Sequence, residues 1–169
     1  SSGKFVVTGY NGFDSTPWYS VSTNGSSWTT QQMFNSSFQP KAVIWSSFHN
    51  LFVTVGNMTS GIGYSTSANG STWTTPALIS GSTSPMLIVA LAVNPAGEFV
   101  GVGQVAVGGI GQALYMTSAN GSNWGAPLLF NSSTNPGYMR SVVYSTVTNS
   151  FVAVGFDNTG PNWLYSVST

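Results

Sequence analysis

The residues that could carry chemistry are few in this chain of 169 residues. Its acids are Asp14, Glu98 and Asp157, its one histidine is His49, and it has no cysteine. A glycosidase needs two carboxyl groups about 5 to 9.5 Å apart, yet each acid here lies in a different segment of the sequence. A catalytic triad needs an acid that orients the histidine beside a nucleophile, and none lies near His49. The sequence therefore predicts a protein that is not an enzyme and has no catalytic residues.

The sequence also lacks the residues that a metal or phosphate site would need. Metal ions need several His, Cys or carboxylate ligands in one place, which this inventory cannot provide. The glycine-rich stretches that begin at Gly101 and Gly108 lack the lysine and the following helix of a phosphate-binding loop. We therefore expect neither a metal site nor a cofactor.

Charge is scarce. Only 4% of the residues are charged, against about 25% in a typical protein, and three basic residues balance three acidic ones. Nucleic acid and anionic membranes attract basic patches that this chain lacks. Its longest apolar run, 86–93, is also much shorter than the roughly 20 residues of a membrane span. The sequence thus predicts no nucleic-acid partner, no membrane insertion and little protection against self-association.

Two phrases recur along the chain at intervals of about 50 residues, a period typical of β-propeller blades. The first is Phe-Val-x-x-Gly, and it begins at Phe5, Phe52, Phe99 and Phe151. The second is Tyr-x-x-Ser-x-Asn-Gly-Ser-x-Trp, which occupies 19–28, 64–73 and 115–124 and recurs in part as YSVST at 165–169. We therefore predict an all-β domain of about three and a half four-stranded blades, with a partial blade at 1–39, blades at 40–84 and 85–137, and a partial blade at 138–169.

The strands of each blade follow from the pattern. A continuous apolar run is typical of an inner strand buried on both faces, the Phe-Val phrase predicts the second strand, and the repeated tyrosine lies on the third. Asn-Gly is typical of a tight primed turn, so it should join the third strand to the fourth. The fourth strand should run from Trp28 to Phe34 in the first blade and should begin at the equivalent tryptophan in later blades. Pro76 and Pro127 follow those tryptophans, and because proline cannot donate to a ladder, the fourth strand should be an outer edge.

The hairpin phrase resembles the Asp-box, or BNR-like, propeller repeat, in which Ser-x-Asp-x-Gly-x-Thr-Trp joins the third and fourth strands of a blade. The matching residues are Ser22, Asn24, Gly25 and Trp28, with Ser67, Asn69, Gly70 and Trp73, and Ser118, Asn120, Gly121 and Trp124. Asn replaces Asp, and the turn is one residue shorter. The resemblance implies the propeller fold. Sialidases with this box use an arginine cluster that the single Arg140 cannot form.

The repeated tryptophans admit two interpretations. Trp28, Trp73 and Trp124 could be equivalent sugar-binding platforms between blades, since repeated aromatic residues serve this purpose in sugar-binding propellers. Each could instead pack over its own hairpin, as in Asp-boxes generally. Both interpretations remain open at the level of sequence.

Glycosylation is a further expectation. Asn-x-Ser/Thr sequons occur at Asn24, Asn35, Asn57, Asn69, Asn120 and Asn131, all in predicted loops or strand ends. Three of them repeat at the predicted hairpin tip, where a glycan would be exposed. We therefore expect an extracellular, N-glycosylated protein whose glycans keep a nearly uncharged surface soluble.

The two terminal blades are predicted to be incomplete. The first lacks an inner strand and the last lacks an outer one, and open sheet edges are sites of association. We therefore expect the edges near 5–9 and 163–169 to pair with another chain or with residues outside this sequence. The leading functional hypothesis is a self-associating structural protein, a building block of a filament or surface layer. The alternative is a carbohydrate-binding propeller lectin that binds glycans in aromatic pockets between blades.

Overall fold

A computed structural model describes residues 3–34, 37–107, 110–130, 137–157 and 163–168. In these residues the protein is all-β, with fourteen strands in four antiparallel sheets. Among the residues described, no helix is long and apolar enough to cross a membrane.

Each sheet is a simple meander in which neighbours in sequence are neighbours in space. The first sheet contains β1 (Phe5–Asn11), β2 (Thr16–Ser22) and β3 (Gln32–Met33), and the second contains β4 (Gln39–Ser46), β5 (Leu51–Met58), β6 (Gly61–Ser67) and β7 (Ala77–Leu78). The third contains β8 (Leu87–Val93), β9 (Phe99–Val107), β10 (Ile110–Ser118) and β11 (Leu128–Leu129), and the fourth contains β12 (Gly137–Ser145), β13 (Ser150–Asp157) and β14 (Trp163–Ser168). Two four-stranded and two three-stranded sheets confirm the predicted fold of about three and a half propeller blades.

The glycine that ends the Phe-Val phrase is required by a β-bulge in the first strand of the sheet. In each of the last three sheets the first strand slips register at the same place, between Pro40 and Ala42, Ile88 and Ala90, and Met139 and Ser141. A Cβ added at the glycines opposite would lie 2.0–2.1 Å from a carbonyl oxygen of that strand, at Gly56, Gly103 and Gly155. No larger residue fits there, so the phrase ends in glycine.

The turn after the third strand differs from the predicted primed turn. A type I′ turn needs positive φ at both central residues, but in the first hairpin only Gly25 has it, at 74°. Side chains hold the turn instead. The Ser22 hydroxyl accepts hydrogen bonds from the N–H groups of Asn24 and Gly25, and Asn24 Oδ1 accepts from those of Ser26 and Ser27.

The same side-chain bonds recur in the second and third hairpins. In each hairpin the asparagine amide oxygen accepts hydrogen bonds from two of these backbone N–H groups. An aspartate carboxylate would accept them equally well. The departure from the Asp-box pattern at this position therefore leaves the turn intact.

The fourth strand is also shorter than predicted, with two paired residues in each of the first three sheets. Between Trp28 and β3 the backbone is held largely by a threonine side chain. Thr29 Oγ1 accepts from the Val21 N–H at 3.1 Å, and the Ser20 hydroxyl donates to the Thr29 carbonyl at 2.7 Å. Thr74 takes the same position in the second sheet. The short strands β7 and β11 do lie at the sheet edge, as the prolines predicted.

The glycines of two hairpins form a matched pair for testing how the sheets pack. Gly25 and Gly121 have nearly the same φ, 74° and 75°, so alanine should strain either turn by roughly 1–2 kcal/mol. A Cβ at Gly25 would be 3.8 Å from its nearest neighbour, whereas one at Gly121 would be 2.6 Å from Val53 Cγ2 in the preceding sheet. Overpacking adds roughly 1–3 kcal/mol. We therefore predict that Gly121→Ala lowers the free energy of unfolding by at least about 1 kcal/mol more than Gly25→Ala.

Chemical denaturation monitored by tryptophan fluorescence measures both variants on the same scale. Coincident midpoints for the two variants would contradict the close packing of the third hairpin on the second sheet.

Candidate functional site

The sheets stack in sequence order, and each contact between sheets buries an apolar cluster. Tyr19 and Phe34 belong to the cluster between the first and second sheets, Val53 and Phe99 to the one between the second and third, and Val102 to the one between the third and fourth. We call the side of a sheet that faces the preceding sheet its front face, and the side that faces the following sheet its back face.

Two of the repeated tryptophans fill the space between sheets. The indole N–H groups of Trp73 and Trp124 donate to the Gly70 and Gly121 carbonyls of their own hairpins, each at 3.0 Å. The Trp73 ring lies 5.9 Å from the ring of Tyr19 on the preceding sheet. The geometry of Trp73 and Trp124 supports packing over the hairpin for these two residues.

Trp73 and its hairpin make further contacts with the preceding sheet. Phe34 lies 5.3 Å from Trp73 in an edge-on arrangement, and the Tyr19 hydroxyl donates to the Ser71 carbonyl at 2.7 Å. Tyrosine, phenylalanine and tryptophan of adjacent sheets thus form one aromatic cluster, in a geometry that stabilises beyond simple burial. The next sheet repeats the arrangement, because Tyr64 and Trp124 both pack against the cluster between the second and third sheets.

The front face of the first sheet is uncovered in the described part of the chain. Phe5 is 55% exposed, whereas Phe52 and Phe99, at the same position of the repeat, are 3% and 0% exposed. Trp28 is 43% exposed, and Val7 also reaches the surface. We call Phe5, Val7 and Trp28 the front patch.

The described residues on the back face of the fourth sheet are also exposed. Val154 is 45% exposed, whereas Val55 and Val102, its equivalents in the second and third sheets, are fully buried. Val143, on the neighbouring strand, is exposed too. We call Val143 and Val154 the back patch. Among the described residues, exposed apolar side chains therefore lie at both ends of the stack.

The described candidate residues Asp14, Glu98 and His49 lie in or beside the turns that connect strands. Asp14 Oδ1 accepts from the N–H and the hydroxyl of Thr16, and Glu98 Oε2 accepts from the Asn94 amide at 2.6 Å. The Asp157 side chain is outside the described residues. Within the described ranges no three His, Asp or Glu side chains come together as a metal site would require.

His49 has a structural position that the sequence did not reveal. Its Nε2 lies 3.1 Å from the Gly97 carbonyl and 3.0 Å from the Ala119 carbonyl, and its ring stacks on Phe99. A protonated Nε2 donates to these carbonyls from the second sheet to two loops of the third. The residue therefore links adjacent sheets.

The sequons differ in accessibility. Asn24 and Asn69 are exposed at their hairpin tips, and Asn120 is half-buried at the third. Asn57 lies near the end of β5, where its Oδ1 accepts from the N–H of Ile88 in the next sheet. Asn35 and Asn131 lie outside the described residues.

A groove of about 240 Å³ opens between the third and fourth sheets. Its lining includes Val100, Tyr115 and Phe130 of the third sheet and Phe151 of the fourth. Sequence reasoning missed this groove, because its lining comes from two sheets that only the tertiary structure brings together.

No protein-family model matches the sequence, and no curated protein matches it either. Solved structures do match its fold. The NanB sialidase of Streptococcus pneumoniae aligns with a TM-score of 0.66 at 14% identity, over 90% of this chain and 26% of the sialidase. An N-acetylgalactosamine deacetylase from F. plautii aligns with a TM-score of 0.54 at 13% identity, over 90% of this chain and 57% of that one.

The catalytic domain of the Coprinopsis cinerea α-L-arabinofuranosidase aligns with a TM-score of 0.50 at 11% identity, over 95% of this chain and 70% of that domain. The chain thus spans about a quarter of the sialidase and little more than half of the deacetylase. At such low identity the likeness concerns the fold alone. The antiparallel sheets of this chain have the blade fold of the Asp-box β-propellers.

Proposed function

We propose that the chain is a non-enzymatic, extracellular structural module that associates head to tail with further copies of itself in a filament or surface layer. The observation that carries this proposal is the exposure of Phe5, at 55%, where Phe52 and Phe99 are buried. The repeat places this phenylalanine on four sheets, and Phe151 of the fourth is half-buried, so Phe5 is the member of the set that is exposed. Burying a phenylalanine side chain contributes about 1.5–3 kcal/mol, which favours covering this face.

The covering surface is the back patch of a second copy. Within the chain, the front face of each later sheet packs on the back face of the sheet before it, so the front patch should accept the back face that carries Val143 and Val154. Such a contact joins two different surfaces, and a contact of this kind that does not close produces an open array. The balance of three basic and three acidic residues provides little net charge to oppose the contact.

The proposal that the chain is not an enzyme is supported by the hydrogen bonds that the candidate catalytic side chains make to other parts of the protein. Asp14 and Glu98 bond to residues of their own turns, and His49 bonds across two sheets. Arg140, the one arginine in the sequence, lies with its guanidinium carbon 5.1 Å from the centre of the Phe156 ring.

The carbohydrate-binding alternative stays a prediction. The indoles of Trp73 and Trp124 are bonded to their hairpins, so Trp28 is the tryptophan of the three that offers an exposed platform. A lectin would bind glycans as a monomer, whereas a building block would assemble without a ligand. Glycan-array binding of the soluble protein therefore separates the two hypotheses.

Substitution of exposed aromatic residues tests the proposed association. We predict that wild-type protein forms concentration-dependent oligomers in sedimentation velocity, and that the double variant Phe5→Ser, Trp28→Ser raises the dissociation constant at least about tenfold, since each tenfold step is 1.4 kcal/mol. Phe13→Ser is the control, because Phe13 is fully exposed in a turn outside the front patch. It should associate like wild type.

A mixing experiment distinguishes head-to-tail contacts from general stickiness. The front-patch variant retains its back patch, and a Val154→Asp variant retains its front patch. We expect each variant alone to be monomeric and an equimolar mixture to form dimers. A wild-type protein that stays monomeric at every concentration, or a control that loses association equally, would refute the proposal.

Glycan occupancy is a second testable part of the proposal. In a secreting eukaryotic host, we predict glycans on Asn24, Asn69 and Asn120 together, because the three hairpins have the same side-chain-bonded structure. A glycan is attached to the amide nitrogen, which leaves Oδ1 free to hold the turn. Asn57 should be unmodified, since it contacts the next sheet.

Peptide mass mapping measures occupancy at each site. Asn→Asp variants at the hairpin tips are suitable controls, because aspartate keeps the acceptor oxygen while removing the sequon. Sugar on Asn57 with none at the hairpins would contradict a repeated glycan rim.

A further inference from the structure

The chain contains four Asn-Gly dipeptides in two kinds of turn. One is Asn11–Gly12, at the end of β1, and the other three lie in the hairpins that follow β2, β6 and β10. An asparagine before glycine is open to spontaneous deamidation, because glycine has no side chain to shield its backbone nitrogen from the asparagine amide carbon. The structure treats the four dipeptides differently.

Deamidation begins with the glycine nitrogen. It gives its proton to a solvent base and attacks the asparagine Cγ, so that an N–Cγ bond forms while the Cγ–Nδ2 bond breaks and ammonia leaves. Water then adds to either carbonyl of the resulting cyclic imide and opens the ring. Opening at Cγ gives aspartate, and opening at the backbone carbonyl gives isoaspartate, in which the main chain runs through the former side chain.

The hairpins hold both reacting groups in other bonds. The glycine N–H donates to the hydroxyl of the serine three residues earlier, at 2.8 Å for Gly25, 2.8 Å for Gly70 and 2.9 Å for Gly121. The asparagine side chain is fixed as well, since its Oδ1 accepts from two N–H groups at 2.7–2.9 Å in every hairpin. These bonds must open locally before the nitrogen can lose its proton and approach Cγ.

The Asn11–Gly12 dipeptide has fewer such bonds. Gly12 is exposed, and among the described residues no acceptor takes its N–H. An added Cβ at Gly12 would meet no heavy atom within 4 Å outside its chain neighbours, so the space around it is open. Asn11 Oδ1 accepts from one backbone group, the N–H of Phe13, at 3.0 Å.

We propose that Asn11 is a site of spontaneous deamidation, and that the serine and asparagine bonds of the hairpins protect Asn24, Asn69 and Asn120 from the same reaction. Asn11 is followed by Gly-Phe and is not a sequon, so no N-linked glycan blocks it. The product adds a negative charge to a chain whose formal net charge is zero. This site does not depend on the self-association or the glycosylation proposed above.

The first hairpin separates the effect of hydrogen bonds from that of burial. Gly25 is exposed, whereas Gly70 and Gly121 are buried, yet all three N–H groups bond to a serine. If the bonds protect, Asn24 stays intact like Asn69. If burial alone protects, Asn24 reacts like Asn11.

The rates at the individual sites test the proposal in the full-length chain. Unglycosylated protein from a bacterial host is incubated in mildly alkaline buffer, digested at acidic pH at successive times and mapped by mass, with isoaspartate measured by isoaspartyl methyltransferase. We expect Asn11 to react at least about tenfold faster than Asn24, Asn69 or Asn120, a ratio that corresponds to about 1.4 kcal/mol of additional barrier for opening the hairpin bonds. In denaturant the four rates should converge, because the bonds that distinguish the sites are then absent.

A serine variant tests the protecting bond directly. Ser22→Ala removes the acceptor of the Gly25 N–H, so Asn24 should react at least about tenfold faster than in wild type, again about 1.4 kcal/mol in the barrier. Asn69 of the same molecule is the matched control and should keep its rate, since global unfolding would accelerate both. The comparison of Asn11 with Asn24 needs no variant, so it decides the proposal even if Ser22→Ala does not fold.

Asn11→Gln provides the control at the reactive site, because it keeps a neutral amide and lengthens the side chain beyond the favoured ring size. Ion-exchange chromatography of aged wild-type protein should show a more acidic species that aged Asn11→Gln lacks. An intact Asn11, equal rates at Asn11 and Asn24 in the folded protein, or an acidic species that persists in Asn11→Gln would overturn the proposal.

Discussion

The packing of the second and third hairpins on the back face of the preceding sheet is the contact on which the structure depends. The turn is held by a serine and an asparagine that accept hydrogen bonds from four backbone N–H groups of the same hairpin. In this geometry Gly121 lies against Val53, and the Trp124 indole lies over the hairpin. The sheet-to-sheet clusters form around this contact.

Cohesion between the sheets is mainly apolar, because a chain with so few charges cannot use ion-pair networks. The polar contributions come from neutral groups such as Asn57, which accepts from Ile88 N–H, and His49, which contacts two carbonyls of the third sheet. These contacts are directional and help to set how one sheet sits on the next. The same kind of apolar side chain is exposed at Phe5 and Val154, on faces that no other sheet of the described residues covers.

The structural neighbours include a sialidase, a deacetylase and an arabinofuranosidase, yet the likeness concerns sheets and their stacking. Catalysis on a shared fold depends on residues placed at particular strand ends and loops. In the present chain Asn94 and Glu98 bond to each other at the turn before β9. The likeness to these enzymes therefore concerns the fold and does not by itself assign a chemistry to this chain.

The sequence by itself determined the class of fold, the number of strands and the repeat. The continuous apolar runs, the Phe-Val phrase and the hairpin phrase are local signals, and each lies within a single blade. The position of the repeated tyrosine on the third strand and of the prolines near the outer edge followed for the same reason.

The tertiary structure determined three features that local sequence patterns did not predict: the form of the turn, the length of the fourth strand and the burial of the tryptophans. The turn was predicted as a primed Asn-Gly turn, but serine and asparagine side chains offered the backbone N–H groups a different set of acceptors, and only the glycine took positive φ. The fourth strand has only two paired residues in each of the first three sheets, and in two of them a threonine hydroxyl, of Thr29 or Thr74, accepts from a backbone N–H of the neighbouring strand. The three tryptophans are alike in sequence, yet Trp73 and Trp124 pack between sheets while Trp28 lies on an open face. Burial depends on which sheet lies opposite, and that is a property of the stack rather than of any one repeat.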